Sequence, residues 1–262
     1  MLELYTHPMS PCAQKVRLAL EEKSLDWRAH PVDLAQKENL RPEYLKLNPK
    51  GVVPTLVHDG VPIVESSVIC EYLEDAFPAT RLSPNSALEK ASMRLWMKHV
   101  DEKLHAAMAA LQWTLLMRPA LLEKSPAEAE ALIARVPDKA RRERQTRLYR
   151  QGLDAPDVAD GVHVYDDTLE DMERVLADSD WLAGGGYSLA DIAVVPYFQT
   201  LMQFGWAAFY EHRPRVSAWL QRCLARPAYD KAIRSGLDPA VLSRLAGRGA
   251  EAWPRLQALR VA

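Results

Sequence analysis

Short alternating runs of hydrophobic and polar residues open the chain. Leu2-Glu3-Leu4-Tyr5 alternates as a half-buried strand does, and Trp27 to Val32 is a second apolar run of strand length. Two further strands are predicted at Val53 to Val57 and Pro62 to Val64, because the Asp59-Gly60 pair between them is a strong hairpin signal. The pattern therefore predicts a sheet built from the first 64 residues.

Helical signals lie between and after these strands. Ser10 followed by Pro11 predicts an N-cap with proline at the first helical position, and this helix is expected to run to about Lys23. A short helix is expected over Arg41 to Leu47, and a longer one starts near Ser66. The apolar side of that longer helix is predicted to hold Val68, Ile69, Tyr72 and Leu73. The order βαβ followed by ββα predicts an α/β domain over residues 1–78.

A linker of proline and serine residues, 79–85, is predicted to end that domain. Beyond it, apolar residues recur at helical spacing, a pattern more typical of a core or a subunit interface than of a ligand site. These residues are Met93, Met97, Val100, Leu104, Met108, Leu111 and Leu115. Later helices are predicted at Tyr165 to Ala177, Ser188 to Met202, Pro214 to Ala225 and Pro239 to Ala246, the last capped by Asp238 and ended by Gly247. Residues 86–262 are thus expected to form an all-helical domain.

The segment from Arg118 to Val164 is longer than the usual connection between helices, so it is predicted to be an insertion. Within it, Lys139 to Arg150 is a basic helical run. Such a run is typical of a solvated helix face, and it could instead draw an anionic substrate toward a cleft. Both interpretations remain open at this point.

Composition narrows the class of protein. The chain has 262 residues, of which 48% are hydrophobic, and this is enough to form two cores. Its formal net charge of −2 gives no general positive surface for binding nucleic acid. No apolar run approaches the length of a membrane helix. The three cysteines, Cys12, Cys70 and Cys223, have no metal-like spacing, and their odd number favours a reducing cytoplasm.

Candidate chemistry begins at the first helix. The hydroxyl of Ser10 can cap the helix, and it can also donate a hydrogen bond to a bound thiolate in the positive field of the helix N-terminus. Cys12 lies slightly further into the same field, so it can be an acidic thiol that forms mixed disulfides, or a small half-buried helix residue. The two residues together predict thiol chemistry at this helix end.

A second candidate site lies at Val53-Pro54 and Glu65-Ser66. Proline cannot donate to a strand ladder, so Pro54 needs a strand edge, a bulge or a cis bond, and an extended thiol peptide could then pair with the backbone of Val53. Ser66 at the start of the next helix suits a ligand carboxylate, and Glu65 suits a ligand ammonium. Alone, Glu65-Ser66 is an ordinary capped first turn. The occurrence of the Ser10 to Cys12 turn, Val53-Pro54 and Glu65-Ser66 in this order favours a binding site.

These residues resemble those of glutathione transferases. Residues 1–78 are similar to the family's thioredoxin-like glutathione-binding domain, and Ser188-Leu189-Ala190-Asp191 resembles the capping box of its helical domain. The Ser10-x-Cys12 turn is similar to that of zeta-class enzymes and tetrachlorohydroquinone dehalogenases. The segments around Val68 to Asp75 and Trp96 to Glu102 resemble bacterial β-aryl-ether-cleaving enzymes.

The resemblance implies an enzyme with glutathione as cosubstrate, acting on a small apolar or aromatic electrophile. Catalysis would come from Ser10, with Cys12 as the alternative nucleophile for thiol exchange or reductive dehalogenation. The glutathione-binding residues implied are Ser10, Asn39, Val53, Pro54, Glu65 and Ser66. Val52 replaces a polar residue of many relatives, so Lys50 or Lys37 would have to supply that contact. A binding protein that keeps the fold without catalysis is the non-enzymatic alternative.

The resemblance also implies a homodimer and a place for the electrophile. The helix from Trp96 to Leu115 is apolar on more than one face, which predicts that it packs against the first domain of a second copy, with Asp101 reaching the partner's glutathione. The substrate wall is expected from His7 to Met9, from Trp96 to Gln112 and from Tyr197 to Tyr210.

Overall fold

The structure is a computed structural model that describes residues 1–261. Its N-terminal part contains a four-stranded sheet in the order β2-β1-β3-β4, with β1 parallel to β2 and antiparallel to β3, and β3 antiparallel to β4. The strands are β1 (Leu2–Thr6), β2 (Trp27–Pro31), β3 (Thr55–His58) and β4 (Val61–Ile63). The helices of this part are α1 (Pro11–Glu22), α2 (Pro42–Leu47) and α3 (Ser66–Ala76). The order βαβ-ββα is confirmed, and the domain is thioredoxin-like.

The alternation of β1 distributes its side chains over two layers. Leu2 and Leu4 point to the main core, which α1 and α3 cover, whereas Tyr5 packs in a small cluster with Val32 and Tyr44 on the side of α2. The sheet is therefore covered by helices on both faces. Pro54 precedes β3 and takes no place in the ladder, since β3 begins one residue later.

The remainder of the chain is helical. It comprises α4 (Ala87–His99), a π-helical turn (Val100–Leu104), α5 (His105–Leu116), α6 (Arg118–Leu122), α7 (Pro126–Ala134), α8 (Lys139–Gln151), α9 (Pro156–Val175), α10 (Leu189–Gln203), α11 (Pro214–Leu224), α12 (Pro227–Ala232) and α13 (Pro239–Val261). Within residues 1–261, no helix combines the length and the apolar character that a membrane span requires.

The buried capping box of α10 is confirmed. Ser188 Oγ accepts from the backbone N–H of Ala190, while the carboxylate of Asp191 accepts from the backbone N–H groups of Ser188 and Leu182 and from Trp219 Nε1 at 2.8 Å. Burial raises the pKa of Asp191 despite these donors. The motif is structural, since it joins α10 to α11 and to the preceding loop.

Two predictions about helix ends are wrong. The helix predicted to begin at Tyr165 begins at Pro156, because Ala155-Pro156 is itself a start signal. The helix predicted to end at Gly247 continues to Val261 as α13. Gly249 lies in the interior of this helix. A Cβ there would meet the carbonyl oxygen of Phe204 at 1.9 Å, so the position requires glycine. Gly249 therefore marks a close contact, whereas Gly247 has open space beside it and lies within the helix.

One prediction about an apolar face is also wrong. Val68 is exposed, because the buried stripe of α3 runs through Ser66, Ile69, Cys70 and Leu73 and leaves Val68 out of phase. In the stretch from Trp96 to Leu115, the buried residues pack between α9 and α10 of the same chain, and the expected contact with a second copy stays a prediction. The predicted insertion folds into α6, α7 and α8 before α9 begins.

Candidate active site

Ser10 caps α1 and lies at the end of the turn that follows β1. Its Oγ accepts from the backbone N–H of Ala13 at 3.3 Å, and Pro11 follows at the first helical position. Because the oxygen acts as the acceptor in this bond, the hydroxyl hydrogen of Ser10 is available to a ligand. The capping interpretation is confirmed, and it is compatible with the thiolate-donor role.

Val53 lies two residues before the start of β3. The Val53-Pro54 peptide bond is cis. Within residues 1–261, neither the N–H nor the C=O of Val53 is bonded to another backbone group. The preceding carbonyl, that of Val52, accepts from Tyr44 Oη at 2.6 Å and from Asn48 Nδ2 at 2.9 Å, and these two bonds hold the loop. Val53 thus presents a short free strand edge.

Glu65 and Ser66 lie where α3 begins. Glu65 has a positive φ of 68°, and its Oε1 accepts from Lys50 Nζ at 2.8 Å. Ser66 is buried and is the first residue of α3, so the free N–H groups of this helix end lie beside it. Lys50 is therefore bound to Glu65.

A cavity of about 250 Å³ lies between the two parts of the protein. From the N-terminal part, Ser10, Val53, Asn39 and Lys37 line it. The helical side contributes His105, Trp113 and Val136, together with Met117, Arg141 and Gln145. The structure thus brings Ser10, Asn39 and Val53 to one cavity, whereas Cys12, Pro54, Glu65 and Ser66 do not line it, nor do His7 to Met9.

Two polar side chains in this cavity have unused hydrogen-bonding atoms. Asn39 donates from Nδ2 to the Gly51 carbonyl at 2.8 Å, and its buried Oδ1 has no partner among the described residues. Arg141 donates from Nη2 to the Lys50 carbonyl at 3.1 Å, and its buried Nε likewise lacks a partner within residues 1–260. Arg141 belongs to the basic helical run, so part of that run faces the cavity and is not a solvated surface.

A second cluster of reactive groups lies behind Ser10. Cys12 Sγ is 3.5 Å from His105 Nδ1 and 3.9 Å from Tyr197 Oη, and Tyr197 Oη is 3.3 Å from the same imidazole nitrogen. The thiol is half-buried, while Cys70 and Cys223 are fully buried. The three groups come from α1, α5 and α10, and they form a thiol, an imidazole and a phenol in mutual contact.

Electrostatics make Cys12 an acidic thiol. Burial would raise its pKa, but the charge and hydrogen bond of His105, helped by Lys15, outweigh burial and lower the pKa to about 6. The charge of Cys12 in turn raises the pKa of His105 against the opposing effect of burial. The Cys12 thiol is therefore largely ionised near neutral pH, and its negative charge favours the protonated form of His105. Burial raises the pKa of Cys70 to about 12, so that thiol stays protonated.

Asp101 and Lys15 support this cluster from within the same chain. The fully buried Lys15 donates from Nζ to Ser67 Oγ at 2.9 Å and to Asp101 Oδ1 at 3.0 Å. Asp101 lies in the π-helical turn, directly before α5 and His105. The carboxylate predicted to reach a partner's glutathione is thus bound to a lysine of its own chain.

His105 is the reactive residue that sequence reasoning did not identify. It lies 93 positions from Cys12, within an apolar helix, and no capping or motif pattern surrounds it. The available signal was the position of a single histidine in the stripe between Leu104 and Met108, which alone does not distinguish a ligand from a core residue. Only the folded structure, in which the N-terminus of α5 comes into contact with Cys12, reveals the pair.

A thioredoxin-like domain followed by a helical domain, with a serine at the first helix and a free strand edge beside a cis-proline, defines the class of glutathione-binding transferases. Two family models match the chain. The glutathione S-transferase N-terminal domain matches residues 9–76, and the C-terminal domain matches residues 154–227.

Individual relatives cover nearly the whole chain. Protein LigF of Sphingobium sp. strain SYK-6 is 32% identical over 249 residues, which is 93% of this chain and 97% of LigF. Glutathione S-transferase 3 of Zea mays is 30% identical and covers 88% of this chain and 93% of its own. The crystal structure of the β-etherase LigF has a TM-score of 0.79 and covers 89% of this chain and 99% of that one. Glutathione transferase F7 of Populus trichocarpa has a TM-score of 0.71 at 29% identity, covering 91% of this chain and 100% of its own.

The chain belongs to the glutathione S-transferase family. It is an enzyme of this type, and glutathione is its cosubstrate. The non-enzymatic alternative is therefore set aside.

Proposed function

We propose that the enzyme joins glutathione to an apolar or aromatic electrophile at the cavity between Ser10 and Val53. One observation carries this proposal: the Ser10 hydroxyl, at the N-terminus of α1, faces the same cavity as the free strand edge of Val53. The glutathione thiolate accepts a hydrogen bond from Ser10 and attacks the electrophilic carbon. A carbon–sulfur bond forms, and the leaving group departs with its electron pair.

Glutathione would lie across the free edge of β3. Its cysteinyl backbone pairs with Val53, in the manner of an added strand. The γ-glutamyl carboxylate lies at the N-terminus of α3 beside Ser66, and the ammonium group at Glu65, where it takes the place of Lys50. Pro54 shapes this edge without touching the cavity.

The other end of glutathione meets a basic wall. Lys37 and Arg141 line the cavity on that side, and the unused Nε of Arg141 suits the glycyl carboxylate. Asn39 also lines the cavity, and its free Oδ1 can accept a hydrogen bond from the glycyl N–H. Lys37 thus fills the role that Val52 leaves open.

The Cys12–His105 pair favours a second activity, thiol exchange. The Cys12 thiolate attacks the glutathione sulfur of a glutathionyl disulfide, so that a Cys12–glutathione disulfide forms and the other thiol leaves as its anion, which accepts a proton from the His105 imidazolium. A second glutathione thiolate then attacks the mixed disulfide, releases oxidised glutathione and restores the Cys12 thiolate. The Ser-x-Cys turn supports reductive dehalogenation as a related reaction.

The relationship to a β-etherase supports aryl ethers as one class of electrophile. Cleavage would follow the same step as conjugation: the glutathione thiolate attacks the carbon that bears the aryl ether, and the aryloxide leaves with its electron pair and is then protonated. The apolar wall of Trp113, Met117 and Val136 suits an aromatic substrate.

Single substitutions separate the two activities. Ser10→Ala should lower conjugation of a chromogenic aryl halide about ten- to a thousandfold, the range for losing one preorganised donor to an anion. Cys12→Ser should keep conjugation within about twofold and abolish exchange with a glutathionyl disulfide, because a hydroxyl forms no mixed disulfide. Equal conjugation rates in the wild-type enzyme and Ser10→Ala would refute the role of Ser10. Retention on immobilised glutathione tests binding apart from turnover.

A homodimer remains our proposal, at a surface different from that expected from the sequence. Large exposed apolar side chains lie on β4, α3 and α4, namely Val61, Val68 and Leu95, at 63%, 56% and 65% exposure. The ion pair between Glu71 and Arg94 holds α3 beside α4 at this surface. All three cysteines are free thiols, which supports a cytoplasmic location.

A further inference from the structure

The two ring nitrogens of His105 have different surroundings. Nδ1 lies 3.5 Å from Cys12 Sγ and 3.3 Å from Tyr197 Oη. Nε2 forms no hydrogen bond with residues 1–260, and it is not one of the atoms that are buried without a partner, so it keeps an open surface. Because His105 lines the cavity that also holds Ser10, and neither Cys12 nor Tyr197 does, Nε2 is the nitrogen that a ligand can reach.

The Cys12 thiolate determines which of these nitrogens exchanges a proton. A thiolate has no hydrogen to donate, so Nδ1 keeps its own hydrogen and donates it to the sulfur. Tyr197 does not replace the thiolate in this role, because burial and the charge of Cys12 raise its pKa and keep the phenol neutral. The contact therefore fixes the tautomer of His105, as a carboxylate does for the histidine of a catalytic triad, and the proton that His105 gains or loses is the one on Nε2.

The charges around the imidazole favour its protonated form. The negative charge of Cys12 raises the pKa of His105, whereas burial and the positive charges of Lys15 and Arg144 oppose this effect. Lys15 lies on α1 and is paired with Asp101 at 3.0 Å, while Arg144 lies on α8. The effect of Cys12 is the larger one, so the pKa of His105 is higher than that of an ordinary histidine. An imidazolium with an accessible N–H thus faces the cavity.

Cleavage of an aryl ether has a use for this proton. When the glutathione thiolate attacks the ether carbon, the carbon–oxygen bond breaks and its electron pair moves to the oxygen. The phenol that corresponds to this leaving group has a pKa of about 10, as tyrosine has, so an imidazolium is the stronger acid and can protonate the departing oxygen. A halide leaves without a proton. A proton donor in the cavity therefore matters for ethers and not for aryl halides.

We propose that His105 is the general acid of aryl-ether cleavage and that Cys12 is its positioning residue. This inference rests on the proposed function, since it adds a catalytic residue to the same transfer. The glutathione sulfur bonds to carbon, the carbon–oxygen bond breaks, and Nε2 gives its proton to the oxygen, which leaves as a phenol. The neutral imidazole then takes the thiol proton of the next glutathione. Each cycle thus moves one proton from glutathione to the phenol, and Cys12 assists without forming a disulfide.

Two ethers with different leaving groups test the role of His105. Phenacyl phenyl ether and phenacyl para-nitrophenyl ether share the carbon that is attacked, and the nitro group makes the second leaving group much less basic. General acid catalysis helps the more basic leaving group more. In His105→Gln, kcat/KM for the phenyl ether should fall at least about a hundredfold, and that for the nitrophenyl ether less than about tenfold.

Equal losses for the two ethers would overturn the proposal, because damage to the fold or to glutathione binding slows both reactions alike. His163→Gln is the matched control. This histidine is exposed on α9, where its Nε2 contacts the Leu259 carbonyl at 3.0 Å, and the variant should keep the wild-type ratio of the two rates.

The pH profile tests the positioning role of Cys12. Cleavage of phenacyl phenyl ether by the wild-type enzyme should decline as the pH rises through the pKa of His105, because the acid form is lost. Cys12→Ser keeps a hydrogen-bonding group beside Nδ1 but removes the negative charge, so the pKa of His105 should fall and the decline should move to lower pH. The decline should be absent in His105→Gln. A decline at the same pH in the wild-type enzyme and Cys12→Ser would refute the role of Cys12.

Failure of this inference is distinguishable from failure of the proposed function. Conjugation of a chromogenic aryl halide and calorimetry with glutathione are measured on the wild-type enzyme. Conjugation of the halide without cleavage of either ether, or with equal losses for the two ethers in His105→Gln, would overturn only the role of His105. Glutathione binding without conjugation or ether cleavage would overturn the proposed transfer itself.

Discussion

The sulfur of Cys12 lies 3.5 Å from Nδ1 of His105, and the two residues come from the N-terminal helix and from the helical domain. This contact joins the two parts of the enzyme at the active site. It also places the only half-buried cysteine of the described residues beside a group that can carry a positive charge.

We expect His105→Gln to raise the pKa of Cys12 from about 6 toward that of an ordinary thiol. At pH 7 the thiolate would be the major form in the wild-type enzyme and about a tenth or less in the variant. The rate of iodoacetamide alkylation as a function of pH, followed by mass spectrometry of Cys12, measures this shift. Tyr197→Phe is the control, because the phenol lies further from the sulfur and carries no charge; an identical pH profile in His105→Gln would contradict the pair.

Glutathione affinity should depend on Glu65 more than on Ser66. Glu65→Ala removes the carboxylate that binds the ammonium group, and such a loss costs about 2 to 5 kcal/mol when the partner is left buried, so affinity should fall more than about tenfold. Ser66→Ala should cost less, because the N–H groups at the start of α3 remain. Calorimetry with glutathione measures both. Glu71→Ala, which alters an exposed carboxylate of the same helix, is the control, and an unaltered affinity in the Glu65 and Ser66 double variant would place glutathione elsewhere.

The buried capping box of α10 and the exposed capping box of α7 should differ greatly in their effect on stability. Asp191→Ala leaves the donors of Trp219, Leu182 and Ser188 unpaired in the core, which should lower the free energy of unfolding by about 3 to 5 kcal/mol. Glu128→Ala breaks the same type of box at the exposed start of α7 and should have a much smaller effect. Denaturant unfolding of both variants measures the difference, and comparable losses would show that burial does not set the cost.

Charge placed on the apolar surface of α3 and α4 should separate a dimer. Leu95→Arg and Val68→Glu each put a charge on a side that is more than half exposed in the single chain, so the fold should persist. Sedimentation at micromolar concentration should show a dimer for the wild-type enzyme and a monomer for the variants. Leu122→Arg, an exposed leucine on α6, is the control. A wild-type monomer would contradict the dimer itself.

The local features of the site were predictable from the sequence, because short-range rules determine them. A serine before a proline caps a helix, and a proline beside a strand stays outside the ladder, so Ser10 and Pro54 could be placed from their neighbours alone. Glu65 and Ser66 could be placed at the start of α3 in the same way.

Features that depend on packing were not predictable in this way. Helical periodicity placed Val68 on the buried side because it cannot fix the phase of a stripe to within one residue. Gly247 predicted a helix end because glycine is common just after helix C-termini, whereas α13 continues to Val261. His105 and Arg141 acquire their positions from contacts between distant segments, which no local pattern records.

The π-helical turn from Val100 to Leu104 determines the angular position of everything after it. A π turn holds one residue more than an α turn, and each residue of an α-helix corresponds to about 100° of rotation. Deleting Lys103 would therefore rotate α5 by roughly that angle relative to α4 and swing His105 away from Cys12. A homologue that is one residue shorter here would present another side chain to the thiol, so the identity of that partner is encoded by the length of the helix as well as by its composition.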